Sequence, residues 1–299
     1  MEQEGTTQRA DAELVQRALH DGDPLVRLLV GRLGLRGPTV ALIAAGWAVV
    51  YILVLSSLFG SLWSREGYLG SLQDWHAQLL LVLVFPVTCA FYVWQPGAIA
   101  RVYQAMGLQG TSAEAGKAYS SRVWLALSLV AAVAIVLFDT PKMIAHYGSW
   151  WMVENWLTLC GREASLAAAF YMLSMIASRQ VVSTVQWRRS FATPEPVRGL
   201  KAASFYQLSS ALLLGLLGLR LSVEGIELPH RVGSITPDYY LKIGAYVVLS
   251  LLCFLTPLWG AFRRGGMSRV QRLAPCLAWA AIAALPLPAF LLLRMAVGS

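Results

Sequence analysis

An all-α, polytopic transmembrane helix bundle is predicted by three features of this 299-residue sequence: seven apolar runs, cations confined to alternate gaps, and a composition 57% hydrophobic but only 13% charged. A soluble chain has about a quarter of its residues charged, so water is not the medium for most of this surface. The runs are residues 38–60, 77–96, 122–139, 155–178, 202–222, 239–261 and 273–293. Each has about the length needed to cross roughly 30 Å of hydrocarbon at about 1.5 Å per residue. They lack the period-two alternation of barrel strands, and a lipid-facing helix satisfies its own backbone.

The cations assign the sides. Arg9, Arg17, Arg27, Arg32 and Arg36 lie in the N-terminal tail. The second gap holds Arg101, Lys117 and Arg122, the fourth Arg179, Arg188, Arg189, Arg198 and Lys201, and the sixth Arg263, Arg264, Arg269 and Arg272. That is seventeen of the 24 cations, and the positive-inside rule then gives seven spans with the N terminus cytoplasmic and the C terminus outside. Deleting the short third span or the charged fourth would move the basic fourth gap to the wrong side. The polar, acidic opening of the tail is unlike a secretory signal, so the first span is expected to be retained, and without an organelle-targeting presequence the expected location is a bacterial inner membrane.

Within the tail (residues 1–37), a short amphipathic helix over about 24–36 is expected to lie on the membrane surface. Asp23 suits its N-cap and Pro24 its first position, and leucines and valines alternate with Arg27 and Arg32. Arg27, Arg32 and Arg36 would meet anionic lipid headgroups, which also accounts for the net charge of +8 without nucleic acid. Gly37 and Pro38 turn the chain into the transmembrane domain, residues 38–299. Trp63, Trp75 and Trp156 at outer ends, and Trp94, Trp124 and Tyr206 at inner ends, suit headgroup depth. Kinks are expected at Pro86, Pro257, Pro286 and Pro288. The fourth span, with Gly161, Ala164, Ser165 and Ala167, allows close helix approach and is expected to be the central, most buried helix.

The fourth span also carries the charges that call for partners. Glu163 lies about nine residues beyond Glu154, roughly 13 Å along the axis, where an ionised carboxylate would cost about 3 kcal/mol on insertion scales. Arg162 projects about 100° away around the helix, so the adjacent pair is not expected to neutralise itself. Partners from other spans are therefore expected, with Arg162, Glu163, Asp139 and Arg220 forming a polar network that lines a cavity open to the outside. The alternative is that Arg162 and Arg220 snorkel to the interface while a protonated Glu163 bonds a neighbouring helix.

His76, His146 and Asp74 are the weak candidates for a metal site; imidazole and carboxylate suit zinc or iron, but no helical His pairing joins them. No cofactor is otherwise expected. Cys89, Cys160, Cys253 and Cys276 all lie within spans and read as packing residues. Neither the lysine of a retinal protein nor the histidines of the progestin and adiponectin receptor family occur in residues 273–293, and no catalytic signature or internal repeat is present. Three function classes follow, in this order: small-solute or ion handling through the outer network, a non-catalytic subunit or anchor holding a cytoplasmic partner, and a membrane-embedded metal hydrolase.

Overall fold

The computed structural model describes residues 2–63, 70–106, 112–146, 155–190, 200–232, 239–240, 242–244 and 246–247. Among the described residues there are helices and no strand. Five helical stretches are long and apolar enough to cross a membrane: Gly37–Leu58, Leu79–Met106, Glu114–Phe138, Trp156–Trp187 and Phe205–Gly225. They coincide with the first five expected spans and mark the chain as a membrane protein. The sixth expected span is described only in part. The seventh, with Pro257, Pro286, Pro288, Cys253 and Cys276, lies outside the described residues.

The chain divides into two compact units. One comprises Met1–Arg32, Trp94–Arg122 and Ala177–Ser299; the other comprises Leu33–Val93 and Val123–Ile176.

In the second unit, α3 (Gly37–Val49) starts with Pro38 in its first turn, where a missing N–H is harmless, and continues through a π-helix, Val50–Leu55, into α4 (Ser56–Leu58). The short α5 (Trp75–Gln78) is capped by Asp74, whose Oδ1 accepts from the Ala77 N–H at 3.0 Å. It leads through a second π-helix, Leu79–Val84, into α6 (Phe85–Met106). Pro86, where a kink is expected, sits in the first turn of α6 directly behind that π-helix. There the Phe85 N–H reaches the Leu80 carbonyl, so the widened turn accommodates a ring that a regular turn would crowd. Ala48, Tyr51 and Ile52 of the first span pack on Ala77 and Leu81 of the second. The unit also holds most of α8 (Arg122–His146), whose Val123, Leu127, Val130, Val133, Leu137 and Phe138 are exposed, as side chains solvated by lipid would be.

In the first unit, α1 (Glu2–Asp21) packs against α7 (Ser112–Tyr119). From the sequence alone no structure is expected in either segment. Ala12, Val15 and Leu19, one turn or so apart, form the buried stripe of α1, and Ala115 and Tyr119 that of α7. The stretch expected to form a surface helix is helical over a shorter range: α2 (Pro24–Val26) runs into a π-helix, Arg27–Arg32, and Gly34 takes φ +62 just beyond it. Its Arg27, Arg32 and Arg36 are exposed, but Val26 is fully buried in protein. The part of α9 (Trp156–Ser190) from Ala177 onward and the whole of α10 (Leu200–Val232) complete the unit, with Tyr246 and Val247 of the sixth segment packed on Ala211 and Leu214.

Three expectations need correction. The second, fourth and fifth helices run well past their apolar runs, to Met106, Ser190 and Val232; on the fourth, buried Arg179, Gln180 and Ser183 find protein partners beyond the end of the run. Among the five described spans the most enclosed is the second, with 56% of its window buried against 44% for the fourth. Small residues serve close approach at Gly161, where an added Cβ would meet Tyr51 Cε2 at 2.8 Å, but Ala164 and Cys160 are exposed. Tyr206 is not an interfacial ring but a core residue, stacked on Trp94 and met edge-on by Trp187.

Candidate functional site

The most concentrated buried chemistry lies in the first unit, on α2, α6, α9 and α10. Asp23 is 0% exposed and does two jobs. Its Oδ1 caps α2, accepting from the N–H of Leu25 at 3.1 Å and of Val26 at 3.3 Å. Its Oδ2 accepts from Nη2 of Arg179, which is 3% exposed on α9. Desolvating two charges is expensive, and the pair persists because each ion also has neutral hydrogen-bond partners. On the cation side, Arg179 Nη1 donates to Gln95 Oε1 at 3.5 Å, and Gln95 Nε2 donates to the Tyr206 hydroxyl at 2.9 Å. One chain of contacts therefore ties the tail to the second, fourth and fifth spans.

Alongside it runs a stripe on α9. Gln180, Ser183 and Thr184 follow Arg179 at helical spacing and are all buried. Gln180 Nε2 donates to Gln207 Oε1 at 3.2 Å and Ser210 Oγ to Gln180 Oε1 at 3.2 Å. Ser183 and the Tyr119 hydroxyl of α7 share a hydrogen bond of 2.8 Å. The Trp187 indole N–H is buried here with no hydrogen-bond acceptor among the described residues. From the sequence, Asp23 is expected as a cap, Arg179 only as a cation of the fourth gap and Tyr206 as an interfacial ring, while Gln95, Gln180, Ser183 and Ser210 carry no expectation. The available signal was the polar set at 179, 180, 183 and 184, which keeps helical spacing where the apolar run stops.

The N-terminal helix brings a titratable group to this corner. His20, half-buried at the end of α1, is held below its ordinary value of 6.5 first by desolvation and next by the Arg179 charge, with Asp21 and Asp23 opposing. Close backbone packing fixes the corner: a Cβ on Gly22 would lie 2.8 Å from Ser120 Cα and 2.9 Å from the Tyr119 carbonyl. Beside it, a half-open cleft of about 340 Å³ lies between Ala12, Glu13 and Gln16 of α1 and Gly97, Ala100, Arg101 and Gln104 of α6. Its charged rim is exposed, and Glu13 is engaged by Arg17 at 4.0 Å.

The expected outer network is distributed differently. Arg162 pairs with its own neighbour Glu163, contrary to the expectation from their 100° separation; the long guanidinium arm bends around the helix to reach the carboxylate. The two side chains are 12% and 14% exposed, and Glu163 Oε2 is buried without a hydrogen bond among the described residues. Nearby in the same unit, Trp47 Nε1 donates to Ser165 Oγ at 2.8 Å, and Tyr51 donates to the Thr158 carbonyl at 2.6 Å. Arg220 belongs to the other unit, where it pairs with Glu224 one turn away at 2.8 Å, and Lys242 joins the same carboxylate. Asp139 is on α8, but its side chain lies outside the described residues.

For the metal candidates, Asp74 is buried as the α5 cap, and the side chains of His76 and His146 lie outside the described residues. Among the described residues no three His, Cys, Asp or Glu side chains gather as metal ligands would. Compared with known protein families, with curated proteins and with solved structures, the chain matches none.

Proposed function

We propose that this chain is a non-catalytic membrane anchor: a seven-span, N-in bundle of the inner membrane that holds a cytoplasmic protein on a platform made by α1 and α7. The observation that carries this reading is the Asp23–Arg179 pair, which locks the N-terminal segment onto the helix ends. A tail needed only for solubility has no use for a buried ion pair, whereas a platform that must hold its orientation does.

Two contacts support the sidedness. Packing of α1 on α7 brings the tail to the second gap, and Asp23 on Arg179 brings it to the start of the fourth. Both favour an even number of crossings between the partners, two and four in the seven-span scheme. The platform's exposed residues, Glu13, Leu14, Arg17, Asp21, Glu114 and Lys117, mix both signs around one large apolar side chain. Such a surface suits a protein partner better than nucleic acid or lipid. Arg27, Arg32 and Arg36 are exposed beside it and suit anionic headgroups.

Photo-crosslinking from position 14 or 17 in intact cells tests the reading. One discrete protein adduct is expected there, absent from the lipid-facing position 130; the same adduct pattern at all three positions would end the proposal.

A second reading, small-solute or ion handling, is favoured by Glu163, whose buried Oε2 lacks a hydrogen bond and could take a proton. It predicts that Glu163→Gln removes a proton-coupled flux in vesicles. Against it, Glu163 pairs with Arg162 of its own helix and Glu224 with Arg220 and Lys242, which suits packing. The metal-hydrolase reading would require stoichiometric zinc or iron in the purified protein.

A further inference from the structure

We infer that the cleft between α1 and α6 is a binding site for a zwitterion, a primary ammonium joined to a phosphate or carboxylate oxyanion, as in the headgroup of an aminophospholipid. Its rim carries both charges. Glu13 and Gln16 stand on α1 and Arg101 and Gln104 on α6, around a volume of about 340 Å³ floored by the small residues Gly97 and Ala100. That volume lies within the range of small-molecule sites, roughly 300–1,000 Å³. The side chains of Gln16, Arg101 and Gln104 have no hydrogen-bond or ion-pair partner among the described residues. Glu13 meets Arg17 at 4.0 Å, a long and exposed pair that leaves its carboxylate able to accept from a ligand.

Gly97 opens the floor. Glycine inside a helix is destabilising, and at Gly22 and Gly161 close approach accounts for it, since an added Cβ would lie 2.8 Å from a neighbour. At Gly97 a Cβ would meet nothing within 4 Å, so packing does not call for glycine there, and its small size yields open space in the cleft. The charge pattern then selects the ligand. A simple anion drawn to Arg101 is repelled by Glu13, and a simple cation drawn to Glu13 is repelled by Arg101. A ligand with both charges satisfies both sides, while the amides of Gln16 and Gln104 donate to and accept from the atoms between. Depth favours lipid as the source: Arg101 lies five residues beyond the end of the apolar run at 96, about 7 Å along the axis, within the headgroup layer. A free amino acid presents the same pair of charges. The site needs no cytoplasmic partner and goes beyond the platform reading.

Native mass spectrometry of the full chain, delipidated in detergent and then given phosphatidylethanolamine or phosphatidylglycerol, tests the site. Phosphatidylethanolamine is expected to be retained several-fold better than the anionic lipid, which lacks the ammonium. Gly97→Leu, which fills the cleft where a Cβ meets no neighbour, is expected to lose that preference, as are Glu13→Gln and Arg101→Gln, both exposed and remote from the buried pair. Free O-phosphoethanolamine separates the sources: displacement of the lipid shows that the headgroup chemistry suffices, and retention of the lipid against it shows that the site takes the zwitterion only as part of a membrane lipid. Equal retention of the two lipids, or a wild-type preference in Gly97→Leu or in both charge variants, would overturn the inference. Because no cytoplasmic partner is present in this experiment, its outcome is separate from that of the crosslinking.

Discussion

Removing Arg179 should be far more damaging than neutralising the whole pair. Arg179→Met leaves the Asp23 carboxylate, 0% exposed, without its counter-ion, and breaking a buried pair from one side costs about 3–5 kcal/mol. The lower end applies, because Asp23 Oδ1 keeps its bonds from Leu25 and Val26 and so remains partly solvated by the backbone. Asp23→Asn retains that capping oxygen but leaves a buried guanidinium without its carboxylate, so a loss of about 3 kcal/mol is expected here too. The double variant Asp23→Asn/Arg179→Met buries no charge and should recover to within about 1–2 kcal/mol of wild type, so the single losses should fail to add by at least about 3 kcal/mol. Reversible unfolding in mixed micelles measures all four proteins. Additive losses, or an Arg179→Met cost below about 1 kcal/mol, would refute the claim that these residues form one desolvated unit.

Other outcomes follow from close contacts. Gly22→Ala forces a Cβ to within 2.8 Å of the Ser120 backbone and should loosen α1 by about 1–3 kcal/mol, read as faster proteolysis within residues 10–20. Tyr206→Phe deprives Gln95 Nε2 of its acceptor at 2.9 Å and should cost about 1–2 kcal/mol in the same micelle assay. Gly161→Val places a Cβ 2.8 Å from the Tyr51 ring, itself fixed to the Thr158 carbonyl, and should cost about 1–3 kcal/mol while leaving α1 protection unchanged.

The first five spans were legible because hydropathy reports the solvent around a helix, and α3 and α8 expose long apolar faces. Where protein replaces lipid, that signal ends before the helix does. The fourth helix continues past Arg179, where Asp23, Gln95, Gln207, Ser210 and Tyr119 meet its buried polar side chains. Tyr206 reads as an interfacial ring because an amphipathic aromatic looks the same at headgroup depth and in a polar core; only the partner, Gln95, separates the two, and it lies far away in sequence. Asp23 was readable as a cap, a local property of Asp-Pro, whereas its second bond to Arg179 depends on a contact 156 residues away. The stripe of Ala12, Val15 and Leu19 shows α1 once a helix is sought there, but acidic and polar neighbours dilute it. The pairing of Arg162 with Glu163 shows the limit of argument from Cβ direction alone, since a long side chain can leave its own helical face.

The central claim is that the N-terminal helix packs on the second gap, so that an even number of spans separates them. A Cβ at position 116 would lie 3.4 Å from the Ala18 Cβ, close to disulfide spacing. In a background lacking the native cysteines, mild oxidation of Ala18→Cys/Gly116→Cys in native membranes should therefore give an intramolecular disulfide. No crosslink, with the two single cysteines labelled by an impermeant thiol reagent from opposite faces of the membrane, would contradict the account.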